Sequence, residues 1–135
     1  MGKVSKPVVL AADNFPVRLL LIKNSLSDIT RVYAVKSRKS VMFSIKNIDK
    51  PNLILLDLEM PFMFGFEFLD FLKNSSDYIN IPVIVITSSP QSTIEEKLKN
   101  YDNIAGVLGK PFEPSDLREL AAVILGITAA GSSGE

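Results

Sequence analysis

Uninterrupted runs of apolar residues constrain the fold of this chain more than any other feature of its sequence. Residues 53–56 and 82–86 show no alternation of apolar and polar positions. A strand with one face in water would alternate, so these runs predict strands buried on both faces of a parallel sheet. Parallel neighbours need long crossover connections, which are usually helices. The sequence should therefore alternate between strands and helices.

The rest of the chain has this alternation from end to end. Apolar runs predict strands over residues 8–12, 31–35, 52–57, 82–87 and 104–108. Apolar residues at helical spacing predict a first helix that follows Asn14, with Pro16 in its first turn, and further helices over residues 38–48, 66–73, 92–100 and 114–125. Five βα units in succession predict a single doubly wound α/β domain, a three-layer sandwich with a five-stranded parallel sheet.

Local sequence signals add further expectations. Asn14 is a candidate cap for the first helix. Four residues should form the apolar face of that helix: Leu19, Leu20, Ile22 and Leu26. The strand at 31–35 alternates enough to predict an edge strand. We expect the folded domain over residues 7–127, between an N-terminal extension (1–6) and a flexible tail of small and polar residues (128–135).

The composition excludes several classes of function. The chain has no cysteine and no histidine, which rules out disulfides, Cys/His metal sites, Ser-His-Asp catalysis and a histidine phosphoacceptor. Fifteen basic and fifteen acidic residues cancel, which gives no electrostatic argument for nucleic acid or an anionic membrane as a partner. No apolar run reaches membrane-spanning length, and the first residues lack the apolar core of a signal peptide, so a cytoplasmic protein is expected.

Polar residues at the carboxyl ends of the predicted inner strands indicate a site. Asp13, Asp57, Thr87 and Lys110 end or follow four of these strands, and in a parallel sheet such ends lie at one edge. Two carboxylates can hold Mg²⁺, which prefers oxygen ligands. A lysine and a hydroxyl can receive the oxygens of a phosphoryl group. A carboxylate can also attack phosphorus and form an aspartyl phosphate.

Each of these residues also has a purely structural interpretation. Asp57 could open the following turn by accepting hydrogen bonds from backbone amides. Lys110 could simply neutralise Asp57, Thr87 could satisfy a backbone group, and Asp13 could only start the first helix. The coincidence of all four at consistent strand ends favours the chemical interpretation.

Three segments occur in a specific order and spacing. They are Leu-Leu-Asp-Leu-Glu-Met-Pro at 55–61 with Gly65, Val-Ile-Thr-Ser at 85–88, and Gly-Lys-Pro-Phe at 109–112. In these segments the chain resembles the receiver domain of bacterial two-component response regulators. The resemblance covers nearly the whole length, from about Val8 to Leu125, and implies a flavodoxin-like fold.

The resemblance also implies roles for individual residues. Asp57 would be the phosphoacceptor, and Asp13, Asp57 and the backbone carbonyl of Glu59 would bind Mg²⁺. Thr87 and Lys110 would bind the phosphoryl group, and the Lys110-Pro111 peptide bond would be cis. The expected function is that of a signalling phosphoacceptor rather than a metabolic enzyme. Its donor would be a histidine kinase or a phosphotransfer protein, and its output would be contact with a downstream protein or a second copy of the chain, without direct nucleic-acid or membrane binding.

Two positions depart from the pattern of the family. Receivers usually have two adjacent acids after the first strand, whereas this chain has Ala12 followed by Asp13, so weak Mg²⁺ binding is expected. Val107 stands where receivers usually carry Tyr or Phe, whose ring moves inward when the threonine engages the phosphoryl group. Valine has no ring and a stiff χ1, so this movement of a ring on phosphorylation should be absent.

The segment after Met60 is rich in phenylalanine. Phe66 and Phe68 fit core positions of the following helix, whereas Phe62 and Phe64 fall in a predicted loop. Phe62 and Phe64 could form an exposed apolar patch for a partner or pack beneath the loop; the sequence leaves both alternatives open.

Other functions compete with a phosphorylated receiver. Ala12 and Val107 motivate a degenerate pseudo-receiver, a protein-interaction module that works without phosphorylation. The chain could also be a receiver excised from a larger regulator or hybrid kinase. A nucleotide- or flavin-binding protein ranks last, because residues 13–16 (Asp-Asn-Phe-Pro) contain neither a Gly-x-Gly-x-x-Gly nor a Walker-type loop.

Overall fold

Strands and helices alternate along residues 5–61 and 64–127, the part of the chain that the computed structural model describes. The strands are β1 (Val8–Ala12), β2 (Arg31–Val35), β3 (Leu53–Asp57), β4 (Val83–Thr87) and β5 (Ile104–Gly109). The helices are α1 (Pro16–Leu26), α2 (Arg38–Asn47), α3 (Phe64–Lys73), α4 (Gln91–Leu98) and α5 (Pro114–Leu125). Residues 1–4 of the predicted extension, the predicted tail at 128–135, and Phe62 lie outside the described residues.

All five strands form one parallel sheet in the order β2-β1-β3-β4-β5. Every residue of β1, β3 and β4 is buried, as their unbroken apolar runs predicted. The alternating strand β2 lies at an edge, also as predicted. Asp57 is paired with Ile86 and Thr87 with Gly109, so the carboxyl ends of β3, β4 and β5 lie at the same edge of the sheet.

Helices cover both faces of the sheet and bury one apolar cluster on each side. The first cluster joins the sheet to α1 and α5, with helix residues that include Leu19, Ile22, Leu26, Leu117 and Ala121. The second joins it to α2, α3 and α4, with helix residues that include Val41, Ile45, Phe68, Leu72 and Ile94. The three-layer doubly wound sandwich is therefore confirmed, and no helix among the described residues is long and apolar enough to cross a membrane.

The start of α1 differs from the prediction. Asn14 is exposed and does not cap the helix; Phe15 is the N-cap residue, with no side-chain cap. The oxygen that serves this turn belongs to Asp13, whose Oδ1 accepts from the Phe15 N–H at 2.8 Å. Leu20 is 60% exposed rather than part of the core. Leu19 faces the sheet, and one residue further along a helix turns about 100° away from it.

Phe64 is a core residue and not part of an exposed loop. Helix α3 begins at Phe64, and this side chain is 1% exposed and stacks on Phe68 with ring centroids 5.5 Å apart. The exposed-patch alternative is therefore wrong for Phe64, which packs against the core. Gly65 permits this packing, because a Cβ there would lie 2.8 Å from the Cα of Leu58.

Candidate functional site

Asp57 ends the central strand β3 with its carboxylate almost completely removed from solvent, since its side chain is 1% exposed. Oδ1 accepts from the Glu59 N–H at 2.8 Å and lies 2.6 Å from Lys110 Nζ. The first contact is the turn that the structural interpretation predicted, and the second is a charge pair. Oδ2 faces a different cation, Arg18, whose Nη1 is 3.8 Å away. The two oxygens of Asp57 therefore have different electrostatic neighbours.

Lys110 reaches Asp57 from the loop that follows β5. Its N–H donates to the Thr87 carbonyl at 3.0 Å, which extends the β4–β5 pairing by one residue, and the Lys110-Pro111 peptide bond is cis as expected. Partial burial would lower the pKa of the Lys110 ammonium, but hydrogen bonds to Asp57 and Glu59 outweigh it and raise the pKa above the ordinary value. Lys110 is therefore a fixed positive charge at this edge of the sheet.

Glu59 adds a third carboxylate to the site. The sequence predicted a role only for its backbone carbonyl. Its Oε2 accepts from the Thr87 hydroxyl. Its Oε1 accepts from the N–H of Ser88 at 2.9 Å and from the Ser88 hydroxyl at 3.1 Å, and lies 2.9 Å from Lys110 Nζ. Burial opposes ionisation, but the bonds from Thr87, Lys110 and Ser88 prevail and lower the pKa of Glu59 to about 2. Glu59 thus holds Thr87 and Lys110 together.

Asp13 lies beside this group, at the end of β1. Its side chain is fully buried, with 0% exposure. Burial is the largest influence on its pKa and raises it, against the lowering effect of hydrogen bonds from Phe15 and Arg18. The structure therefore brings Asp13 and Asp57 to the same edge, together with Thr87 and Lys110, as the strand-end pattern predicted.

Arg18 belongs to the site but was not predicted from the sequence. Its Nη1 donates to both oxygens of Asp13, at 2.9 and 3.0 Å, and lies between Asp13 and Asp57. Side chains of a helix point back towards its N-terminus, so an arginine early in α1 returns to the end of β1. An Arg five residues after the strand-end Asp was the available signal.

The two positions expected to depart from the family pattern are Ala12 in β1 and Val107 in β5. Ala12 is 1% exposed and pairs with Val35 and Leu56, so no side-chain oxygen comes from that position. Val107 is half-buried in β5 and packs against the cluster on the α2–α4 side.

The donor set of the site suits a hard cation in its chemistry. Asp13 and Asp57 supply buried carboxylates and Glu59 has a backbone carbonyl, which are the oxygen ligands that Mg²⁺ prefers. Within 5–61 and 64–127 there is no group of three or more acidic, His or Cys side chains arranged to hold a metal. Three carboxylates (Asp13, Asp57, Glu59) and two cations (Arg18, Lys110) leave the whole group with a formal charge of minus one, which still attracts a divalent cation.

Comparison with known proteins agrees with this fold and these motifs. The family model for the response regulator receiver domain matches residues 9–122. The two-component response regulator ORR5 of Oryza sativa subsp. japonica is 34% identical over 125 residues, which cover 88% of this chain and 89% of that protein. The sensor histidine kinase TmoS of Ectopseudomonas mendocina is 24% identical over 95% of this chain and 13% of the kinase. The chemotaxis response regulator CheY4 of Vibrio cholerae has the same fold, with a TM-score of 0.80 and 24% identity over 90% of this chain and 100% of CheY4.

The chain therefore belongs to the response regulator receiver domain family of two-component systems. Members of this family are signalling phosphoacceptors rather than classical enzymes, and they generally bind Mg²⁺ at acidic residues. They interact with histidine kinases or phosphotransfer proteins.

Proposed function

We propose that Asp57 is the phosphoacceptor of this receiver and takes its phosphoryl group from a phosphorylated histidine of a partner kinase or phosphotransfer protein. The observation that carries the proposal is the buried carboxylate of Asp57 with Lys110 Nζ at 2.6 Å. A carboxylate oxygen can act as the nucleophile towards phosphorus, and the neighbouring lysine can offset negative charge on the product.

In the proposed reaction an oxygen of Asp57 attacks the phosphorus atom. A P–O bond forms while the P–N bond to the donor histidine breaks, and the histidine nitrogen keeps the electron pair and takes a proton. Lys110 is already in contact with Asp57 and would neutralise charge on the new acyl phosphate. The Thr87 hydroxyl and the Ser88 N–H would donate to phosphoryl oxygens once Glu59 no longer accepts from them.

Mg²⁺ would be held by Asp13, Asp57 and the carbonyl of Glu59. When bound, it supplies positive charge that offsets the negative charge of the phosphoryl group. Ala12 contributes no ligand, so we propose that the affinity for Mg²⁺ is low for a receiver. The output of the phosphorylated chain would be contact with a downstream protein or with a second copy of the chain.

Incubation with Mg²⁺ and acetyl phosphate, followed by intact-mass measurement, tests the phosphoacceptor. We expect a phosphate adduct on the wild-type chain and none on Asp57→Asn, with Asp49→Asn as the matched control that keeps the adduct. Asp49 is exposed and pairs with Arg31 at the start of β2. An adduct that persists in Asp57→Asn, or no wild-type adduct even at high Mg²⁺, would contradict the proposal.

A pseudo-receiver is the second candidate, and one observation favours it. Every buried side-chain nitrogen and oxygen in the described residues already has a hydrogen-bond partner. The site is thus satisfied by its own side chains, with Arg18 and Glu59 as internal cation and anion. A pseudo-receiver would bind its partner with the same affinity in three states: the wild-type chain, the Asp57→Asn variant, and the wild-type chain with beryllofluoride. A change in association on adding beryllofluoride would exclude it.

A further inference from the structure

One nitrogen atom of Arg18 lies where a cation would contact both aspartates. Nη1 is 2.9 and 3.0 Å from the two carboxylate oxygens of Asp13 and 3.8 Å from Oδ2 of Asp57. Three carboxylate oxygens from two residues thus surround one positively charged group. This is the kind of oxygen environment that a divalent cation uses.

The contacts leave Asp13 little capacity for another partner. Oδ1 accepts from the Phe15 N–H at 2.8 Å as well as from Arg18, and Oδ2 accepts from Arg18. One lone pair of Oδ2 stays available, but a divalent cation there would lie beside the guanidinium and be repelled by it, so a metal ion that binds Asp13 must replace Arg18. Arginine does not deprotonate in proteins, so Arg18 cannot yield by losing its charge. It has to move away.

Ala12 explains why a single guanidinium is sufficient to balance the negative charge beside β1. The buried position beside Asp13 has no carboxylate, so Arg18 needs to balance only Asp13 and part of the charge of Asp57. The guanidinium also lies over the Phe15 ring, 5.1 Å from its centroid, which favours the inward position. Its side chain is still 20% exposed, so it has a route to solvent.

We propose that Arg18 is a tethered cation that competes with Mg²⁺ for Asp13 and Asp57, so that the metal binds only after Arg18 has swung out. Arg18 then acts as a positioning residue that sets the Mg²⁺ concentration at which the site becomes loaded. This inference rests on the proposed function only for the location of the Mg²⁺ site between Asp13 and Asp57. It does not need Asp57 to be phosphorylated.

Isothermal titration of Mg²⁺ into the unphosphorylated full chain tests this competition. Arg18→Gln removes the competing charge and should lower the Kd for Mg²⁺ by about tenfold relative to wild type, the equivalent of ~1.4 kcal/mol. The matched control is Arg31→Gln, which removes a positive charge of an exposed pair with Asp49 and should leave the Kd unchanged. Equal affinity of Arg18→Gln and wild type, or the absence of Mg²⁺ binding in both, would overturn the proposal.

A second measurement needs no variant and covers the case in which Arg18→Gln fails to fold. In the wild-type chain the Nε–Hε resonance of Arg18 should shift along the Mg²⁺ titration with the same midpoint as the calorimetric curve. Saturation with Mg²⁺ and no change at Arg18 would show that the two cations bind together, which contradicts competition. Both readouts concern the unphosphorylated chain, so a failure of Asp57 to take up phosphate does not affect them.

Discussion

At the scale of single residues, Glu59 is placed to oppose the chemistry proposed for Asp57. Its carboxylate accepts from Thr87, Ser88 and Lys110, the same groups that would donate to a phosphoryl group. A phosphoryl group must therefore displace it, and both are anions. Only the three-dimensional arrangement identifies this competition, because the sequence places Glu59 merely two residues after Asp57.

Glu59→Gln should accelerate adduct formation with acetyl phosphate. The neutral amide keeps the shape but loses the charge-assisted hydrogen bonds, each of which contributes roughly 1.5–3 kcal/mol. A rate increase of several-fold is expected in an intact-mass time course. Glu67→Gln is the matched control, since Glu67 pairs with Arg38 at an exposed position of α3. A slower reaction of Glu59→Gln than of Glu67→Gln would show that Glu59 assists phosphorylation.

At the scale of elements, Tyr101 connects the loop after α4 to α3. Its hydroxyl donates to Asp70 Oδ1 at 2.7 Å, and its ring lies 5.5 Å from Lys73 Nζ. Lys73 also donates to the carbonyl of Asn100 at 2.9 Å. These contacts fix the C-terminal end of α4 relative to α3. The sequence pattern predicted both helices but gave no indication of this connection.

The titration of Tyr101 tests the connection. Burial and the bond to Asp70 raise its pKa from 10.0 to about 12. The folded pKa exceeds the unfolded value, so this stabilising contribution is complete below pH 10.0 and is lost as the pH rises towards about 12. In a tyrosinate absorbance titration, Asp70→Asn should shift one of the three tyrosines to lower pH, and Asp77→Asn should not. Superimposable curves for all proteins would contradict the assignment.

At the scale of the whole molecule, the sheet separates two apolar clusters, and the site lies at the edge of the sheet beyond both. Stability and chemistry therefore depend largely on different residues. Phe68 is 0% exposed within the cluster on the α2–α4 side, whereas Phe43 on α2 is 67% exposed. The pair offers a direct test, because both are phenylalanines on helices that cover the same face of the sheet.

Phe68→Ala should lower the free energy of unfolding by about 3–5 kcal/mol, since it leaves a cavity in the core. Phe43→Ala should change it by no more than about 0.5 kcal/mol. Urea denaturation followed by circular dichroism measures both values. Similar losses in the two variants would mean that Phe43 is covered in solution, for example by a second copy of the chain.

The sequence by itself determined the alternation of strands and helices, the parallel sheet and the strand ends that carry Asp13, Asp57, Thr87 and Lys110. Periodicity and burial are local properties of the chain, and a parallel sheet necessarily gathers its carboxyl ends at one edge. The predictions that were wrong also concern single positions: the cap assigned to Asn14, the inward face assigned to Leu20 and the loop assigned to Phe64. Packing decides which oxygen serves the start of a helix, which way the helix faces and where its first turn begins.

Only the tertiary structure decided how the site balances its charges. Arg18 reaches the aspartates because α1 packs with that face over the end of β1, and Glu59 reaches Thr87 because β3 and β4 are neighbours. Such contacts depend on the directions of long side chains across elements, which the pattern of strands and helices does not specify. The physical reason is that electrostatic balance is a property of distances in space, whereas the pattern of burial is already encoded along the chain.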